Sequence, residues 1–142
     1  MKKYKIGYTT GVFDLFHIGH LNILKRAKSQ CDYLIVGVTT DEEAMRLKNR
    51  KPVINFEERK AIVESIKYVD LVVPEDDSDK IKAWERYKFN VIFKGSDWKG
   101  TEKWNYYEKY FCSKGVDVVY FPYTHDISST KLRDVLDKIM GM

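Results

Sequence analysis

The chain has 142 residues, with 25 basic and 21 acidic side chains and a formal net charge of +4 with neutral histidines. Hydrophobic residues make up 44% and charged residues 32%, the balance of an ordinary globular domain, and so small a positive excess does not by itself argue for a nucleic-acid binder. No apolar run approaches the ~18 residues of a membrane span. Residues 1–4 lead straight into a strand-like stretch, without a signal peptide's apolar region. The two cysteines, Cys31 and Cys112, lack metal-ligand spacing, so a reducing, cytoplasmic setting is expected.

In chain order, the first continuous apolar run is residues 6–9, followed by a helical face of Ile18, Leu21, Leu24 and Ala27. A second run spans 33–38. The longest irregular stretch, 48–55, contains Pro52 and has the character of a functional loop. Phe56, Ile62, Val63 and Ile66 mark the next helix, and 71–73 the next run. Glu75, Asp76, Asp77 and Asp79 then cap whatever helix follows. After the run 91–93 comes an amphipathic stretch over 101–114, stopped by Gly115, then the run 118–121. Leu132, Val135, Leu136, Ile139 and Met140 complete a final helix at i, i+3, i+4, i+7, i+8 spacing. Continuous rather than alternating apolar runs are strands buried on both faces. Separated by helices, they predict a single α/β domain over 1–142, a Rossmann-like, doubly wound, parallel five-stranded sheet with helices on both faces. Ligands of such sheets bind beyond the carboxyl ends of the strands, where chemistry is to be sought.

The first strand end continues through Gly11, Val12, Phe13, Asp14, Leu15, Phe16, His17, Ile18, Gly19 and His20 into a helix. A helix N-terminus attracts phosphate, Gly19 allows close backbone approach, and two imidazoles can donate ring N–H groups. Structural histidines or a His-x-x-His metal site are the alternatives, although His125 is the only other histidine. The last strand end holds Thr124, Ile127, Ser128, Ser129 and Thr130, more hydroxyls than a cap requires, although capping is the simpler reading. Residues 94–100, with Gly95, Asp97 and Trp98, either hold a base or ribose or form a turn. Residues 46–60 carry six basic side chains, a solvated face or a clamp on a polyanion. Trp98, Trp104, Tyr106, Tyr107 and Tyr110 read as core aromatics more readily than as a cage for a quaternary ammonium.

Taken together these segments resemble the small cytidylyltransferases of the HxGH nucleotidyltransferase family over essentially the whole chain. Residues 11–20 match the first motif and 127–130 the second. Residues 95–98 look like the Gly-Asp-Asp-Trp segment of members that act on glycerol 3-phosphate, and 56–60 and 66–70 are similar to their intervening stretch. The resemblance implies attack of a phosphorylated alcohol, foremost glycerol 3-phosphate, on the α-phosphorus of CTP, giving CDP-glycerol and pyrophosphate. It implies that His17 and His20 stabilise the α-phosphate, that Ser129 and Thr130 hold the β- and γ-phosphates, and that Lys48 closes over them, with Arg50 or Lys51 as substitutes. Gly11, Val12, Phe13, Gly19, Asp97, Thr124, Ile127 and Ser128 would line the nucleotide site, and Asp14, Arg59, Lys67 and Trp98 the acceptor site. Mg²⁺ would bridge phosphates rather than occupy a protein cage, and the chain would be a homodimer. Val12 replaces a family threonine, Tyr123 a phosphate-pairing arginine, and Lys67 stands where arginine is frequent. These departures leave room for phosphoethanolamine, phosphocholine or glycerol 2-phosphate as acceptor and for a non-catalytic nucleotide-binding module, and ATP stays open as donor because the HxGH fold serves both bases.

Overall fold

The structure is a computed structural model describing residues 2–122 and 129–140, the side chains of 129–131 excepted. The five apolar runs form β1 (Tyr4–Gly11), β2 (Cys31–Thr39), β3 (Leu71–Glu75), β4 (Val91–Gly95) and β5 (Asp117–Phe121). All pair in parallel in the order β3-β2-β1-β4-β5. The helices are α1 (Ile18–Gln30), α2 (Asp41–Lys48), α3 (Phe56–Glu64), α4 (Lys80–Tyr87), α5 (Glu102–Ser113) and α6 (Ser129–Met140), and a 3₁₀ turn spans Ser96–Trp98. No helix among the described residues is long and apolar enough to cross a membrane.

Two helices lie where the sequence pattern gave no apolar stripe. In α2 only Glu43 and Ala44 are buried, and Met45 and Leu47 face out, so capping by Thr40 rather than a hydrophobic face marks its start. α4 begins with Asp79 accepting from the Ile81 N–H, as the acidic cluster implied. The irregular stretch accordingly shrinks. Asn49 ends α2 in a left-handed conformation (φ 53°), and Asn55 caps α3.

Side-chain alternation sorts the core into two layers. On one face Val36, Val38, Val91 and Phe93 pack with Leu24 and Ala27 of α1 and Val63 of α3. On the other, Tyr8, Ile35 and Ile92 pack with Trp104, Tyr107 and Phe111 of α5. Close packing over β1 requires Gly7, where a Cβ would sit 2.7 Å from both Cys31 Sγ and a Phe93 ring carbon. The aromatic stretch is therefore core, as the composition favoured. Trp104 is 2% exposed and meets Tyr107 edge-on at 5.1 Å, while Tyr106 and Trp98 are exposed. The same alternation puts Thr10 and Lys94 on the α5 face at the carboxyl end of the sheet, and Gly11 and Gly95 on the α1 face. Trp104→Ala should lower unfolding free energy by about 3–5 kcal/mol, the cost of deleting a buried aromatic, as read from urea denaturation. A loss below 1 kcal/mol would place Trp104 outside the core.

Candidate active site

A cavity of about 450 Å³ opens at the carboxyl ends of β1 and β4. This is the switch point of the sheet, because strand order runs one way from β1 through β2 and the other way through β4. Its wall includes Gly11, Val12, Phe13, Asp14, His17, Gly19, His20, Lys48, Asp97 and Trp98, which the sequence had singled out. Thr124, Ile127 and Ser128 lie outside the described residues. Ser129 and Thr130 are described only as backbone of the first turn of α6.

The loop from β1 to α1 is bent by two non-glycine residues in the left-handed region, Phe13 (φ 55°) and Leu15 (φ 51°). Each costs roughly 1–2 kcal/mol, so other contacts must hold the turn. Asp14, between them and only 3% exposed, is what holds it. Its carboxylate accepts the Val53 N–H at 2.8 Å and the Ile54 N–H at 2.9 Å, and pairs with the Arg133 guanidinium of α6. Asp14 therefore ties together the β1–α1 loop, the 49–55 stretch and α6. Asp14 lies on the cavity wall with its carboxylate oxygens engaged by these protein donors.

Arg59 is likewise held by the protein itself. Its side chain has no exposed surface. It donates to the carbonyls of Ile54 (2.8 Å), Val12 (2.6 Å) and Thr39 (2.7 Å), and to Asp41 Oδ1 at 2.7 Å. It is absent from the cavity wall and acts as a buried strut beneath the ends of β1 and β2. Lys67 is also removed from the acceptor site. It is exposed on the connection entering β3, the opposite end of the sheet from the cavity, with Nζ 5.3 Å from the Tyr68 ring centre.

His17 and His20 form a reciprocal cap on α1. His17 Nδ1 accepts the Gly19 N–H at 3.0 Å, and His20 Nδ1 accepts the His17 N–H at 3.2 Å. With both Nδ1 atoms serving as acceptors, each neutral ring carries its proton on Nε2. The rings lie 4.0 Å apart, and Phe13 and Phe16 flank His20 at 5.4 and 5.2 Å. Burial, then the neighbouring His17, pushes His20 down to about 3, and burial lowers His17 too. The pair is thus a set of uncharged N–H donors at a helix N-terminus, suited to phosphate oxygens.

Around the pair stand cations of different standing. Lys48, at the end of α2, has no ion-pair partner among the described residues, whereas Arg50 is tied to Asp137 of α6. Lys51 is not on the wall. Two charged wall residues were given no role by the sequence reading. Lys94 opens the 94–100 segment, and burial lowers its ammonium to about 8. Arg133 sits inside the apolar pattern of the last helix, although it shares a helical face with Ser129 at i, i+4. Its Nε is buried without a partner.

A parallel switch-point cavity with paired neutral donors at a helix start belongs to α/β proteins that handle nucleotide phosphates. The cytidylyltransferase-like family model matches residues 8–135, and the chain is a member of that family. It is 39% identical over 135 residues to the glycerol-3-phosphate cytidylyltransferase of Staphylococcus aureus (strain NCTC 8325 / PS 47), covering 90% of this chain and 92% of that protein. Identity to the enzyme of the same name from Bacillus subtilis (strain 168) is 40% over 133 residues, with 89% and 92% covered. Among solved structures, the lipopolysaccharide core biosynthesis protein of Thermoplasma volcanium GSS1 superimposes with a TM-score of 0.70 at 28% identity, over 85% of this chain and 97% of that one. The pantoate-beta-alanine ligase of Francisella tularensis, at 16% identity and TM-score 0.66 over 100% of this chain and 72% of that one, shares the fold.

Because the folded histidines resist protonation, the unfolded chain binds more protons below the ordinary value of 6.5, and stability falls as pH drops through that point. The loss of Tm between pH 7 and pH 5 should be smaller in His20→Gln than in wild type. Equal losses would mean that His20 titrates normally.

Proposed function

We propose that the chain transfers a cytidylyl group from CTP to glycerol 3-phosphate. A phosphate oxygen of the acceptor forms the new bond to the α-phosphorus, and the bond from that phosphorus to the β-phosphate bridging oxygen breaks, so pyrophosphate leaves with the electron pair. The observation that carries the reading is the neutral His17–His20 pair at the N-terminus of α1. Its Nε2–H groups suit the charge that builds on the α-phosphate oxygens, and no protein nucleophile is required. The full-length likeness to two enzymes named for this reaction supports the choice of CTP and of acceptor.

Lys48 and Arg133 are placed to neutralise the remaining phosphate charge, and Arg133 Nε is a buried donor for which an anion is the natural partner. Mg²⁺ would enter with the triphosphate rather than in a cage of protein ligands. Asp97, on the cavity wall, is the carboxylate that would meet it. When bound, the ion supplies charge neutralisation to the leaving pyrophosphate. In this reading the enzyme works in the cytoplasm as a homodimer, with exposed Ile18 and Val53 giving apolar surface near the histidine loop. CDP-glycerol would serve wall-polymer synthesis such as that of teichoic acid.

Pyrophosphate release should appear with CTP, Mg²⁺ and glycerol 3-phosphate, and fall by about 10²–10³ in His17→Ala while the fold persists. Release with ATP but not CTP, or undiminished turnover in His17→Ala, would contradict the proposal.

A further inference from the structure

The cavity wraps the end of the sheet. His17 and His20 stand on the α1 face, whereas Lys94 and Thr10 stand on the opposite, α5 face. In-line transfer sets the attacking and leaving oxygens on opposite sides of the α-phosphorus. If the leaving pyrophosphate lies on the α1 side, the attacking oxygen of the acceptor comes from the α5 side.

Lys94 is the conspicuous group there. It is half-buried, with Nζ 5.0 Å from the Trp98 ring centre and 5.8 Å from that of Trp104. No carboxylate lies within ion-pair distance of it among the described residues. The charged groups that act on it are Lys80 of α4, Glu75 of β3, Asp97 of the 3₁₀ turn and Lys48 of α2. Glu75 is already bound to Lys80 at 2.5 Å and to the Thr39 hydroxyl at 2.7 Å. An ammonium sheltered by indole rings and lacking a carboxylate partner costs stability. That cost is offset when an incoming ligand brings oxygen atoms to it.

We infer that Lys94 is an acceptor-specificity residue, donating hydrogen bonds to the hydroxyl oxygens of a polyol phosphate and repelling acceptors that end in an ammonium group. The inference rests on the proposed cytidylyl transfer and names which phosphorylated alcohols that site admits.

The test compares wild type with Lys94→Met, an uncharged side chain of similar length, under saturating CTP and varied glycerol 3-phosphate or phosphoethanolamine. KM for CTP and Tm are measured alongside. Lys94→Met should raise the KM for glycerol 3-phosphate about tenfold and shift the kcat/KM ratio toward phosphoethanolamine, with the KM for CTP within about twofold and Tm unchanged or higher. Lys94→Gln, which also removes the charge, should move the acceptor KM in the same direction. An unchanged acceptor KM in a wild-type-active background, an effect confined to CTP, or a lower Tm with unchanged KM would overturn the inference alone. Absence of release from wild type with glycerol 3-phosphate would overturn the proposed reaction, and the inference with it.

Discussion

The buried Asp14 carboxylate is the constraint on which the site depends. Two left-handed residues on either side of it would relax the β1–α1 loop were it not fastened, and Asp14 fastens it to two backbone N–H groups and to Arg133. Arg59 acts from below, gathering carbonyls from the β1 end, the β2 end and the 49–55 stretch onto one guanidinium. Charges this deeply placed are costly to bury. Their removal is costlier still, because it leaves backbone groups and a partner charge without compensation. The loop so fixed delivers His17 to the start of α1 in the extended conformation a cap requires.

From that placement follows the electrostatic character of the cavity. The histidines are the closest pair to the helix start, yet burial keeps them uncharged, so they contribute direction rather than charge. In the proposed reaction the charge around the phosphates comes from Lys48 and Arg133, which reach the wall from α2 and α6, while Lys94 reaches it from β4 on the opposite, α5 face. Neutral donors would then meet the reacting phosphate while the cations offset the charge around it. Arg50 stands apart, since its link to Asp137 bridges the 49–55 stretch and α6 and closes one side of the cavity.

The sheet was legible from the sequence because strands buried on both faces leave continuous apolar runs, and each of the five runs became a strand. α2 was not, since almost nothing on it is buried, and its start is marked by one threonine cap. Within the site, the histidines and the glycine between them were readable from their spacing alone. Asp14 and Arg59 share a motif with ligand-facing residues, and spacing does not reveal that their polar atoms are consumed internally. Lys94 and Arg133 were hidden for the opposite reason. Lys94 directly follows the apolar run of β4 and Arg133 sits within the apolar pattern of α6, and only the topology shows that the end of β4 and the start of α6 meet at the same cavity.

The central claim is that His17 and His20 are neutral Nε2–H donors aimed at phosphate. Nitrogen NMR of histidine-labelled protein at pH 7, with and without CTP, tests it most directly. The account predicts unprotonated Nδ1 and protonated Nε2 in both rings, with the Nε2–H signals moving when CTP binds. Doubly protonated rings at that pH, or signals indifferent to CTP, would contradict it.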